Sequence, residues 1–356
     1  MTLAAKVIVH CVEQRQRGRY CAGQWKDIEA LNQVLAQLPA EFEFLEFDGA
    51  DIESLVQSCA SMGATDIILY YSFMPEVLSR LGAEIPNARL YVRTVNAEAF
   101  QHWQRAEVGW WPSYENLRSI YGCLRLARRD IRCKKTAHAL LGISDWDNRN
   151  YWQRLPGRAT VHDVPYSCPW PRVRPKVEPM PWNHRDRKMV CLAGGRDAIG
   201  RTMLEGFNRL ADATASSDAF DDWAFEVSPG VLKSEQPDTL SKHVSRMEYL
   251  EEPWDLLCSV RALAVLTPLG FGFKTTIVDA MAAGCHVLAH PVLVNRLPAE
   301  IGSRCIAFDP RKPIVPHTLA SMLNAQPDTR GINDALQLHA KNQLSQAFGF
   351  MNEKAA

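Results

Sequence analysis

GFGFKTTIVDAMAAGCHVLAH, running from Gly270 to His290, divides into a loop, a helix and a strand. The loop holds Gly270, Phe271, Gly272 and Phe273. The helix opens at Lys274, Thr275 and Thr276, carries Ile277, Val278, Ala280, Met281 and Ala282, and stops at Gly284. An apolar strand, Val287 to Ala289, follows and is closed by Pro291. A glycine-flexible loop feeding a helix beside a buried strand is how α/β proteins build an anion site at the carboxyl edge of a sheet. Glycine lets backbone approach a ligand closely, and the helix dipole with the Lys274 ammonium favours a phosphate. Asp279 lies one turn inside the helix, where a carboxylate can reach hydroxyl groups of the same ligand. A ligand-free reading stands beside this one, because Thr276 and Asp279 fit a capping box and Gly284 fits a helix C-terminal glycine.

Outward from this stretch, the C-terminal half repeats the same grammar. Met189 to Ala193 reads as a strand, followed by Gly194, Gly195 and Arg196 and then a helix over Thr202 to Leu210, which makes a second anion candidate. Trp223 to Val227, Val244 to Leu250, Ala262 to Leu266 and Ile306 to Asp309 read as extended segments. Trp254 to Val260, His317 to Asn324 and Asp334 to Phe348 read as helices. The N-terminal half alternates too. Lys6 to Cys11, Phe42 to Phe47, Asp66 to Tyr71, Leu90 to Val95 and Ala137 to Ser144 are predicted strands, with Val161 to Pro165 short and extended. Helices are predicted over Trp25 to Leu38, Ile52 to Met62, Pro75 to Leu81 and Asp145 to Leu155. Such alternation predicts doubly wound parallel sheets. Pro165, Pro169, Pro171, Pro175, Pro179 and Pro181 interrupt it, so residues 165–182 are expected to link two Rossmann-like α/β domains, 1–164 and 183–340. Residues 341–356 are expected as a terminal helix and tail able to pack back on the first domain.

One segment breaks the pattern. Trp110 and Trp111 precede a helix whose apolar side is expected to be Leu117, Ile120, Tyr121, Leu124 and Ile131. Arg118, Arg125, Arg129 and Arg132 share its other face. Such a face is solvated, lines an acceptor site, or rests on an anionic bilayer.

Composition narrows the classes. The chain has 356 residues, enough for two domains, and its 40 Lys and Arg balance 40 Asp and Glu, so charge gives no case for a nucleic-acid partner. Its ten cysteines form no CxxC pair and no zinc-ligand spacing, which predicts buried thiols in a reducing cytoplasm and no metal. The N-terminal apolar run is too short for a signal peptide, and no apolar run is long enough to span a bilayer.

The 270–290 stretch resembles the nucleotide-sugar motif of GT-B glycosyltransferases, in particular the retaining glycosyltransferase family 4. One branch of that family carries a pattern close to G-x-G-x-K-x-K-x-x-E-A-x-A-x-G-x-P-V. Gly270, Gly272, Lys274, Ala280, Ala282, Gly284 and Val287 match it; Asp279 stands for the glutamate, Thr276 for the second lysine and His286 for the proline. Phe271 replaces the first glutamate of the better-known form. Near the end of the predicted strand at Leu90, Arg93, Asn96 and Glu98 match a polar R-x-H-N-x-E cluster, with Val95 in place of its histidine.

The resemblance implies two Rossmann-like domains facing a cleft and transfer of a hexosyl group from a UDP- or GDP-sugar to a saccharide, glycolipid or other acceptor. It implies a retaining, metal-independent reaction without a separate cofactor. Gly195, Arg196, Arg201, Gly272, Phe273, Lys274, Thr275 and Thr276 would then hold the donor diphosphate, Asp279 the ribose, and Met247, Glu248 and Tyr249 the base. Asn96, Glu98 and Lys274 would act at the reacting sugar. An inverting enzyme would need a base, for which Glu98, His102, Asp145 and Asp163 are candidates. A sugar-nucleotide epimerase of the same fold and a non-catalytic partner subunit are the alternatives. The expected location is the cytoplasm or the inner membrane face, in polysaccharide or glycolipid assembly.

Overall fold

The computed structural model describes residues 6–14, 22–71, 74–108, 114–173, 177–192, 198–228, 240–248, 250, 252–269 and 273–350. The chain divides into two compact units, residues 6–166 with 273 and 336–350, and residues 167–269 with 274–335.

In the first unit the order is β1 (Val7–Glu13), α1 (Ala22–Leu35), β2 (Glu41–Phe47), α2 (Ile52–Ser61), β3 (Asp66–Tyr70), α3 (Pro75–Glu84), β4 (Arg89–Thr94), α4 (Glu98–Val108), α5 (Tyr114–Thr136), β5 (Ala139–Gly142), α6 (Asp145–Asn150) and β6 (Thr160–Asp163). The strands form one parallel sheet in the order β2-β1-β3-β4-β5-β6. β1 and β3 are buried almost end to end and are mostly apolar, with Val9 opposite Ile67. β2 alternates Glu with Phe and sits at the sheet edge.

In the second unit the order is α7 (Trp170–Val173), β7 (Asp186–Cys191), α8 (Ala198–Thr214), β8 (Ala224–Val227), β9 (Ser245–Arg246), α9 (Trp254–Ser259), β10 (Val260–Val265), α10 (Thr275–Ala282), β11 (His286–Ala289), α11 (Pro291–Val294), α12 (Ala299–Gly302), β12 (Ile306–Ala307), α13 (Pro316–Asn324) and the start of α14 (Ile332–Ala347). Its sheet runs β12-β11-β10-β7-β8-β9, again parallel. The doubly wound α/β architecture expected from the alternation is therefore present twice.

The later part of α14 belongs to the first unit. Ala340, Leu344, Ala347 and Phe348 pack with Ile8, Leu31 and Tyr91. Polar groups seal the seam: Tyr91 Oη lies 3.0 Å from Asp66 Oδ1 and 3.1 Å from Ala347 O, and Arg89 donates to Phe348 O at 3.0 Å.

Two expectations are corrected below. The proline-rich stretch is bonded into the second unit from residue 167 onward. Cys168 N–H donates to Asn333 Oδ1 at 2.6 Å, Met180 N–H to Cys258 O at 2.9 Å, and the Trp254 indole N–H to Val177 O at 3.2 Å. Proline excludes helix and sheet interiors, yet it leaves carbonyls that neighbours can bond.

The apolar side expected for the helix at residue 117 is reversed. Leu117, Tyr121 and Leu124 are 63%, 68% and 57% exposed, whereas Leu126, Asp130, Cys133 and Lys134 face inward. Lys134 is held by three carbonyls, of Trp152, Gln153 and Leu155, and Asp130 accepts from Tyr151 at 2.7 Å. Two satisfied polar groups thus set the phase of α5, and hydrophobic spacing alone does not reveal them.

The capping box at Thr276 and Asp279 does not form, because α10 begins two residues earlier: Lys274 is its N-cap, with no side-chain cap bond, and Thr276 is already inside the helix. Gly284 does terminate α10, with φ +80°. Arg185 reinforces that end by donating to Ala283 O, and a Cβ on Gly284 would sit 3.0 Å from its guanidinium. Gly284→Ala should therefore lower stability by about 1–2 kcal/mol from the left-handed backbone alone, read as a lower thermal midpoint with an unchanged far-UV spectrum.

Candidate functional site

At the carboxyl edge of the second sheet, β10 leads toward α10. α10 is buried from Ile277 to Met281, with Asp279 among apolar residues, and its first turn is partly open. There Lys274 and Thr276 are half-buried and Thr275 is buried. The first amides of a helix lack intrahelical partners, and Lys274 offers no acceptor to cap them. Dipole, amides and ammonium therefore reinforce one another at this turn. Asp279 is fully buried.

Met247 and Glu248 follow β9, with Met247 N–H donating to Val227 O at 3.1 Å. β9 lies three strand spacings from β10, about 14 Å along the edge. Arg201 is exposed in the first turn of α8. Phe273 is half-buried and belongs to the first unit, where its ring lies 6.3 Å from that of Tyr166. Gly195, Arg196, Tyr249, Gly270, Phe271 and Gly272 lie outside the described residues, as do Trp110 and Trp111.

The first unit brings Asn96 and Glu98 together through a residue that sequence reasoning missed. Tyr71, at the end of β3, has φ +73°, a left-handed conformation costly for an aromatic residue. Its hydroxyl donates to Glu98 Oε1 at 2.7 Å and also bonds Asn96. Burial, then the Glu98 charge, raises the Tyr71 phenol well above its usual range, so it remains a donor. Arg129 reaches Glu98 at 3.6 Å and Asp130 at 3.3 Å. Arg129 is thus turned into this cluster, and the exposed cationic face keeps Arg118, Arg125 and Arg132 and gains Arg128.

Arg93 of the matched polar cluster is structural. It is 1% exposed, its Nε donates to Asp27 at 2.9 Å, and it also bonds Val164 O at 2.6 Å. Val95 is buried, and His102 packs on Gly122 of α5.

Beyond the end of β5 and at the end of β6, Asp145 and Asp163 are neighbours. Burial, then the Asp145 charge, pushes the Asp163 carboxyl up to about 6, with His339 at 3.4 Å opposing the shift. A carboxyl whose folded value is raised loses stability as pH rises from about 4 to 6, because the unfolded chain sheds its proton first. Asp163→Asn should therefore raise stability by on the order of 1–2 kcal/mol at pH 8 and leave it nearly unchanged at pH 3. Melting curves across that range check the sign. Among the described residues, no group of three or more His, Cys, Asp or Glu is arranged to hold a metal ion.

The chain matches no protein-family profile, and no curated protein matches it in sequence. Solved structures do match its backbone along almost the whole length. Sucrose-phosphate synthase from Thermosynechococcus elongatus shares 13% identity over 97% of this chain and 99% of its own, with a TM-score of 0.62. HepE from Anabaena, solved with UDP and glucose, shares 12% over 96% and 99%, with a TM-score of 0.55. A glycosyltransferase from Rickettsia africae shares 10% over 99% and 100%, with a TM-score of 0.53. The chain has the GT-B fold. At these identities the likeness establishes the fold. The chemistry has to be argued from this chain's own residues.

Proposed function

We propose that the protein is a glycosyltransferase that takes a hexosyl group from a nucleoside-diphosphate sugar, with the diphosphate seated on the first turn of α10. The observation that carries this reading is Lys274 at the N-cap of a helix that starts at the carboxyl edge of a doubly wound sheet, where its side chain caps none of the opening amides. As the sugar leaves, charge grows on the diphosphate oxygens, and Lys274 with the Thr275 and Thr276 amides stabilises it without reorganising. Arg196, and Arg201 from the start of α8, would add cationic charge. Gly195 and Gly272 would let backbone approach the phosphates, and Phe273 would sit beside them. Met247, Glu248 and Tyr249 would hold the base, the first two lying beside β9, about 14 Å along the sheet edge from β10. Since HepE was solved with UDP and glucose, UDP-sugars are the first donors to test.

Asn96, Glu98 and Tyr71 would bind acceptor hydroxyls, because together they offer an amide, a carboxylate and a phenol held in fixed geometry. In the retaining reaction the departing phosphate accepts the acceptor's proton. Product NMR should show the donor's anomeric configuration kept. An inverted product would transfer the base role to a carboxylate such as Asp163.

Calorimetry with UDP, GDP and their sugars tests the donor reading. Heat from one nucleotide class, and glycosyl transfer with release of the nucleoside diphosphate when a sugar acceptor is present, is expected. Conversion of the donor to an epimer without acceptor would indicate an epimerase, and no heat from any nucleotide would indicate a non-catalytic subunit.

We also propose peripheral contact with an anionic membrane through α5. Leu117, Tyr121 and Leu124 are exposed beside Arg118, Arg125, Arg128 and Arg132, the composition of an interfacial helix. Among the described residues no helix is long and apolar enough to cross a membrane. Replacing Leu117, Tyr121 and Leu124 by Ser should abolish co-flotation with phosphatidylglycerol vesicles while leaving thermal stability intact. Unchanged flotation would remove this contact.

A further inference from the structure

α3 and α5 pack side by side in the first unit and leave an open groove between them, with a volume of about 550 Å³. Pro75 and Glu76 of α3 line it, with Tyr121, Leu124 and four arginines of α5, Arg125, Arg128, Arg129 and Arg132. Those arginines stand three or four residues apart, so each has a like-charged neighbour on the same helix face. Such pairs repel and weaken a helix. An anion lying across them removes the repulsion.

Charge pairing within the groove is incomplete. Glu76 Oε1 accepts from Arg132 at 3.0 Å. Arg129 turns to Glu98 at 3.6 Å and Asp130 at 3.3 Å. Arg125 and Arg128 are exposed and form no ion pair among the described residues. Two guanidiniums are thus left uncompensated, one turn apart and able to reach a single ligand. Two positive charges match one phosphate monoester, which carries about −1.5 to −2 at neutral pH. Its free oxygens also suit guanidiniums, which bond phosphate two oxygens at a time. A phosphodiester brings one negative charge and fewer free oxygens.

The ligand also needs an apolar part. Leu117, Ile120, Tyr121 and Leu124 are all exposed, and they cover about 10 Å of α5 on the N-terminal side of the arginines. Tyr121 and Leu124 line the groove itself, so apolar and cationic surface are continuous.

We propose that this groove holds the phosphate-monoester head of a lipid, with the phosphate between Arg125 and Arg128 and the chain along Leu124, Tyr121 and Leu117. The proposal rests on the reading of α5 as a surface that meets lipid and names the headgroup it selects; it does not depend on the donor site. Because Arg129 both lines the groove and reaches Glu98, a head bound there sits one side chain away from the residues proposed to bind acceptor hydroxyls.

Calorimetric titration with dihexanoyl phosphatidic acid, dihexanoyl phosphatidylglycerol and inorganic phosphate, each below micelle-forming concentration, tests it. Phosphatidic acid should bind one to one, at least about tenfold more tightly than either of the others. Arg125→Gln and Arg128→Gln should each weaken it at least about fivefold. Tyr121→Ser combined with Leu124→Ser should reduce it to the level of inorganic phosphate. All four positions are exposed, and an unchanged thermal midpoint shows that the variants are folded. The proposal is overturned if phosphatidylglycerol binds as tightly as phosphatidic acid, which leaves only general attraction to anionic lipid. It is equally overturned if inorganic phosphate does so, which means a site for free phosphate, or if neither arginine variant alters binding. Flotation with phosphatidylglycerol vesicles reads the membrane contact separately. Flotation without selectivity for phosphatidic acid removes this site alone, and selectivity without flotation removes the bilayer contact alone.

Discussion

Lys274→Ala is expected to lower turnover of the donor sugar at least about tenfold, a loss of about 1.4 kcal/mol or more of transition-state stabilisation. The physical reason lies in where charge develops. Lys274 stands at the N-cap of α10, whose opening turn is proposed to seat the diphosphate. An ammonium beside the opening amides of a helix gains most where charge grows, which is on the leaving diphosphate, so kcat should fall more than binding of the intact sugar nucleotide weakens. Adding Arg196→Ala should deepen the defect. Full activity in a folded double variant would end the diphosphate assignment.

Asp27→Ala should be the most damaging single change to the fold of the first unit, costing about 3–5 kcal/mol. Asp27 is fully buried, and Arg93, equally buried, donates to it from two nitrogens. Without the carboxylate, a guanidinium that cannot shed its proton is left in a dry core with only the carbonyls of Leu141 and Val164. Chemical denaturation of the isolated variant measures the loss directly, and the paired replacement of Asp27 and Arg93 by apolar residues should recover much of it. A variant with wild-type stability would mean that water reaches the site.

The contrast between these residues shows what the sequence makes legible. Strand and helix alternation, and the loop-helix-strand grammar of 270–290, can be read because they follow from local backbone chemistry and hydrophobic runs. The phase of α5 cannot, because Lys134 and Asp130 point inward for tertiary reasons, and their carbonyl and phenol partners come from residues some twenty positions away. Arg93 matches a family motif by position, yet its partner Asp27 is 66 residues upstream and makes it structural. Tyr71 leaves no trace in the sequence, since nothing about a tyrosine announces a positive φ or a bond to Glu98. Asp279 was readable as a polar residue one turn inside a helix, whereas its full burial was not, because burial is set by what packs around the helix.

The account rests on a nucleoside diphosphate at the opening turn of α10, and a structure determined after soaking with UDP tests it most directly. Diphosphate oxygens within hydrogen-bond reach of the Thr275 and Thr276 amides and of Lys274 Nζ are the expected result. UDP bound elsewhere in the second unit, or that turn occupied by the protein's own side chains, would contradict it.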